Sequence, residues 1–209
     1  PLKTKGFPHI ILLCALITAT TACHKGDTTV NAVLPADSLL REGDVIFRRG
    51  TGLISRAVLA ADENGQFSHI GIVVRNGNHW MVVHAVPGEP EFKGDSDRVK
   101  MEPIASFFCS EKAKSGAVMR VKADSTVCCS AARRAEALYH KRVLFDHAYD
   151  LQDSTRMYCT ELIEYVYRLE KVDISGGKLT AIHIPGFNGN FLLPGDVLQS
   201  KKLTMIYQY

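Results

Sequence analysis

Cys159 stands where a cysteine can become a nucleophile. Leu162, Tyr165, Val166 and Leu169 fall at i, i+3, i+4 and i+7, which predicts a helix over residues 158–170. Cys159 lies at its start, with Asp153, Ser154 and Thr155 just before it as candidate capping residues. A helix N-terminus favours negative charge, and the thiolate is the reactive form of cysteine. The competing reading of a lone cysteine is a buried packing residue.

A base is needed beside such a thiol. His69 opens the β-branched run HIGIVVR, and His84 lies inside WMVVHAV. Between them Asn76-Gly77-Asn78 reads as a hairpin turn. With Gly77-Asn78 as a two-residue loop, Asn76 pairs with His79 and His69 faces Val86. His84 then sits diagonally two residues from Val86 on the same face, near enough to orient His69 as a triad's third member does. For any single histidine a structural role is the competing reading. His24, His79, His140, His147 and His183 have no comparable setting.

Other uses of these residue types find little support. No CxxC, HxH or HExxH spacing is present, and Cys128-Cys129 is adjacent, so no metal site or cofactor is expected. No phosphate-binding glycine loop and no GxSxG elbow occur. Asp44 and Asp146 read as loop and cap residues. Glu161 reads as a surface charge or a cleft residue.

The elements that must hold the cysteine and histidines alternate irregularly. A helical turn is expected at 37–41, a strand at 44–47 and a helix at 52–61. Strands follow at 69–75, 80–86, 99–101 and 117–121. Helices are expected at 125–142 and 158–170, and 196–198 reads as a last strand or turn. Helices and antiparallel strands without regular βαβ alternation define an α+β domain.

The front of the chain reads as an export signal. Lys3 and Lys5 precede the apolar run Ile10–Leu16, and small residues lead into Cys23. A cysteine directly after small residues resembles a bacterial lipoprotein signal, although Thr20 stands where leucine is usual. The expected organisation is a signal peptide at 1–22, a tether at 23–36 lipidated on Cys23, and one domain at 37–209. This implies a membrane-anchored lipoprotein of the bacterial envelope, periplasmic or outer-membrane associated. The net charge of +3 includes only Lys3 and Lys5 from residues 1–22, and is too small to argue for nucleic acid. Cys14 and Cys23 belong to the signal and the anchor, and Cys159 must stay reduced to react. Cys128 and Cys129 are neighbours on one helix, so Cys109 can make at most one disulfide, or none.

Four segments in order, LREGDVIFRRG, FSHIGIVV, VVHAVPGE and FDHAYDLQDSTRMYCTELIEYVY, resemble the YiiX/YebB-like hydrolases. These form the circularly permuted branch of the NlpC-type papain-like cysteine peptidases, related to lecithin retinol acyltransferase. The histidine strand precedes the cysteine helix, the reverse of ordinary papain-like order. The C-terminal LLPGDVLQSKKL is also similar, so the resemblance spans roughly 39–203. It implies an antiparallel sheet or half-barrel with the cysteine helix packed against it. It implies Cys159 as nucleophile, His69 as general base and the Cys159 N–H in the oxyanion hole, with Tyr158 contributing there or packing as a rim aromatic. His84 occupies a position where YiiX-like members often carry Glu, and is the expected orienter. Glu89, beyond Pro87-Gly88, ranks below it. The expected activity is amide cleavage through a thioester, first on cell-wall peptides. The alternatives are lipid-like N-acyl amides, by hydrolysis or acyl transfer, and a non-catalytic envelope binding protein. An apolar cleft beside Cys159 would favour the acyl amides, and a polar groove the peptides.

Overall fold

The computed structural model describes residues 32–62, 65–184 and 187–209. The expected signal segment, and Cys23 with it, lies outside the described residues. Of the expected tether, Ala32 already bridges Cys109 and Pro35 is buried. The chain is therefore held against the domain before residue 37.

After a 3-10 turn at Asp37–Leu39 come β1 (Val45–Gly50), α1 (Leu53–Ala61), β2 (His69–Asn76), β3 (His79–Val86) and β4 (Arg98–Pro103). A short α2 (Ile104–Phe107) leads into β5 (Ala113–Val121) and α3 (Ser125–His140). Two-residue strands β6 (Leu144–Phe145) and β7 (Arg156–Met157) precede α4 (Cys159–Arg168). The chain ends with β8 (Thr180–Ile184), β9 (Phe187–Phe191), α5 (Pro194–Leu198) and β10 (Leu203–Gln208). Eight strands form one curled sheet in the order β10-β5-β1-β2-β3-β4-β6-β7, antiparallel except for β6 with β7. The β8–β9 hairpin stands apart. This is the expected α+β half-barrel.

Alternation along the strands makes two cores. Val45, Phe47, Ile70, Ile72 and Val83 point to α3 and α4, where Ala131, Ala135, Leu162, Ile163 and Val166 complete the larger core. Ile46, Val73 and Val82 point the other way, onto Phe107 and Phe108 at the end of α2. The hairpin register is as the turn predicts, with Asn76 opposite His79 and Ile72 opposite Val83. Asp44 is structural, as read: its carboxylate accepts from the Arg41 N–H and from both Nε and NH2 of Arg120. Asp146 accepts the Ala148 and Asp150 N–H groups in its loop.

Three expectations need correction. Residues 196–198 are helical, because Pro194 starts α5 and Asp196 accepts the Leu193 N–H; the last strand is β10. Asp153 does not cap the cysteine helix. It closes its own turn on Thr155, and β7 intervenes before α4. Glu161 is buried rather than a surface charge, and accepts the Tyr158 N–H at 3.3 Å at the start of α4. Burial, with Asp146, Asp153 and Asp150 nearby, raises its carboxyl to about 8. Cys109, Cys128, Cys129 and Cys159 are all free thiols.

Candidate active site

His69 and His84 meet on the α2 side of the sheet, both buried. His69 Nε2 lies 2.8 Å from His84 Nδ1, with the rings edge to face. Gly71 makes this approach possible. A Cβ there would stand 2.5 Å from Val82 Cγ1 and 3.1 Å from His84 Cβ. Phe107 packs against both imidazoles and carries the Arg48 guanidinium 4.6 Å over its ring.

A charged cluster lies behind the pair. His84 Nε2 stands 3.2 Å from Glu102 Oε1, both atoms buried. Lys112 Nζ reaches Glu102 Oε2 at 2.7 Å and Glu89 Oε2 at 2.8 Å. Arg48 pairs with Glu89 and lies 3.5 Å from Glu102 Oε1. Burial alone would raise Glu102, but His84 and Lys112 outweigh it and hold the carboxyl at about 2. Burial depresses His69 well below the ordinary imidazole value, and the charges of Arg48, His84 and Lys112 add to this. His69 is thus a neutral imidazole at pH 7, the form that accepts a proton.

Cys159 is the first residue of α4. The backbone N–H groups of Ile70, Thr160 and Cys159 favour its thiolate, but burial outweighs them and pushes the thiol up to about 11. The helix terminus alone therefore does not produce a resting thiolate. Ile70 follows His69 in β2, so strand and helix start meet here. The thiol makes no hydrogen bond to His69 among the described residues. Such contacts are often long before substrate binds and tighten in the reacting complex.

Two clefts flank this point and share Ile54 and Ser68. Beside Cys159 is an apolar cavity of about 380 Å³. Ala57, Val58 and Ala61 of α1 form one wall, and Tyr149, Tyr158, Ile182, Phe191 and Leu193 form the others. Thr160 Oγ1 donates to the Leu192 carbonyl, and the Gly195 N–H donates to Asp62, which ties both ends of the cavity. Tyr158 is buried, and its hydroxyl accepts the Leu192 N–H at 3.3 Å. The second cleft, about 540 Å³, holds His69, Arg48, Glu89, Glu111 and Lys112.

The structure brings His69 against His84 and sets Tyr158 with Cys159 in the apolar cavity, while the thiol and the imidazole pair line separate clefts that share Ser68. Sequence reading missed Glu102, Arg48 and Lys112. Glu102 faces Val82 across β3 and β4, two residues along from His84. No tight turn joins those strands, so their register could not be counted as it was for β2 and β3. Glu89 is present, but as the partner of Arg48 and Lys112.

A curled sheet presenting a histidine strand, followed later in the chain by a cysteine-led helix, defines a permuted papain-like cysteine hydrolase. The family profile described as "Permuted papain-like amidase enzyme, YaeF/YiiX, C92 family" matches residues 39–207, and the chain belongs to that family. No curated protein matches it. It is similar to a solved structure titled as metalloprotein yiiX from Escherichia coli O157:H7, with a TM-score of 0.65 and 18% identity over 81% of this chain and 97% of that one. At that identity the likeness shows the fold. Among the described residues no three His, Cys, Asp or Glu side chains converge as metal ligands, and His69 and His84 turn ring nitrogens on each other.

Proposed function

We propose that this enzyme hydrolyses N-acyl amides with an apolar acyl group and a polar amine. The observation that carries this reading is the apolar cavity beside Cys159, set against the cleft of His69, which Arg48, Glu89, Glu111 and Lys112 line with charge. A cysteine nucleophile bonds to the acyl carbonyl, so the acyl chain extends into the Cys159 cavity. The base later gives its proton to the departing amine, so the amine lies on the His69 side. A polar cell-wall peptide would place unpaired polar groups against apolar walls, which is costly.

The steps follow in order. The thiol proton passes to His69 as sulfur adds to the carbonyl. The Cys159 N–H supports the oxyanion. The C–N bond breaks as His69 protonates the amine, leaving a thioester. His69 then takes a proton from water, which attacks the thioester and releases the acid and the thiol. Tyr158 serves as cavity wall.

The test is release of carboxylic acid from an N-acyl series of rising chain length, with cell-wall peptide fragments alongside. Each buried methylene contributes about 0.8 kcal/mol, so kcat/KM should rise about fourfold per carbon until the cavity is full. Cys159→Ala should lose about 10⁴-fold or more while unfolding like wild type. Activity independent of chain length, or preference for the peptides, overturns the acyl assignment. Residues 1–23 support an envelope location through lipid on Cys23. Cys23→Ser should then move the protein from the membrane to the soluble fraction, and unchanged partition would refute the anchor.

A further inference from the structure

The histidine pair raises a question that its spacing alone leaves open. Each neutral imidazole has one N–H and one bare nitrogen, and the choice for each is set by its neighbours. His69 Nε2 and His84 Nδ1 lie 2.8 Å apart, so one must donate and the other accept. If His84 donated, His69 would carry its proton on Nδ1. Its one bare nitrogen would be occupied by His84, and it could not take the thiol proton.

The far end of the chain decides the direction. His84 Nε2 and Glu102 Oε1 are both buried, neither has another hydrogen-bond partner among the described residues, and they stand 3.2 Å apart. A bare nitrogen there would set two lone pairs against each other without water, so the hydrogen belongs on Nε2. His84 Nδ1 is then bare and accepts from His69 Nε2–H, which leaves His69 Nδ1 bare. The carboxylate is itself held for this task. Lys112 takes Oε2 at 2.7 Å, and Oε1 lies 3.2 Å from His84 Nε2 with the Arg48 guanidinium 3.5 Å away. Phe107 packs on both rings and limits their rotation.

We propose that Glu102 is the positioning residue of this site: through His84 it sets the tautomer of His69, so that the base presents a bare Nδ1 to the Cys159 thiol. The inference rests on the reading of Cys159 and His69 as nucleophile and base. When Nδ1 takes the thiol proton, His69 becomes a cation. Its Nε2–H still points to His84 Nδ1, and the Glu102 negative charge lies behind them. No proton need leave the chain. This role differs from that of Glu89, which is engaged by Arg48 and Lys112.

The experiment is long-range 1H–15N correlation of the histidine rings in the full chain at neutral pH, with His69→Gln and His84→Gln spectra for assignment. In wild type, His69 and His84 should both be protonated on Nε2. In Glu102→Gln the amide can donate as well as accept, so both rings should lose that single tautomer. The same change should lower kcat about 10–100-fold with little change in KM, and Glu102→Asp should recover part of it. His69 protonated on Nδ1 in wild type overturns the proposal, and so does an unchanged pair of Nε2–H tautomers in Glu102→Gln. The wild-type spectrum decides even if the variant fails to fold. Full activity of Cys159→Ala would instead refute the hydrolase reading and leave the tautomer measurement standing.

Discussion

The two clefts that meet at Ser68 differ in how they are built. The apolar one is walled by late additions to the sheet: α1, whose residues are all at least partly exposed, the β8–β9 hairpin and the start of α5. The other is built largely on the sheet, from the end of β1, the first residue of β2 and the Glu89–Lys112 cluster, with Leu53, Ile54 and Ser55 at the start of α1 closing it. On the proton-handling side the imidazoles, carboxylates and cations are positioned by strand register and by their ion pairs. The acyl side is shaped by peripheral elements that can differ in size without disturbing the sheet. The contrast separates the imidazole pair and its charged cluster from the apolar walls, while Cys159 lines the apolar side.

The largest effect that would sharpen this contrast comes from filling the apolar side. Ala57 is exposed on α1 and lines the cavity, so Ala57→Trp should block it without disturbing the core. Loss of room for about three methylenes corresponds to roughly 60-fold in kcat/KM for long acyl chains, with short chains spared. An equal loss for short and long chains would break the division between the clefts. Next is the thiol. Burial raises it to about 11, so it is neutral at pH 7 and the thiolate appears only as pH rises through that value. Alkylation of Cys159 by iodoacetamide, read on its own peptide by mass spectrometry, should accelerate about tenfold per pH unit from 7 to 10. A rate already level at pH 7 would indicate a resting ion pair with His69. The smallest effect is on the proton-handling side. Gly71→Ala places a methyl against Val82 and His84, and should cost about 1–3 kcal/mol in urea unfolding. Unchanged stability would mean that His84 can shift, and that the relay is softer than its packing suggests.

Legibility followed the range of the interactions. The β2–β3 register could be counted from a two-residue turn, and with it the meeting of His69 and His84. The cysteine helix showed through its apolar spacing. Glu102 did not show, because the connection 87–97 hides the register of β4 on β3. The β8–β9 hairpin did not show either: TAIHI and FNGNF mix polar and apolar residues, and only their pairing with each other makes them strands. The Asp153 cap failed because β7 takes the intervening residues into the sheet.

By itself the sequence determined the α+β class, the order of histidine strand before cysteine helix, and the identities of nucleophile and base candidates. Those depend on local periodicity and on residue type, which the chain carries wherever it folds. Only the tertiary structure decided the rest. It set Glu102 behind His84, left Cys159 half-buried where desolvation outweighs the helix terminus, and placed an apolar cavity beside Cys159 and a charge-lined cleft beside His69. Each of those results from segments far apart in the chain excluding water from one another, and no single segment contains that information.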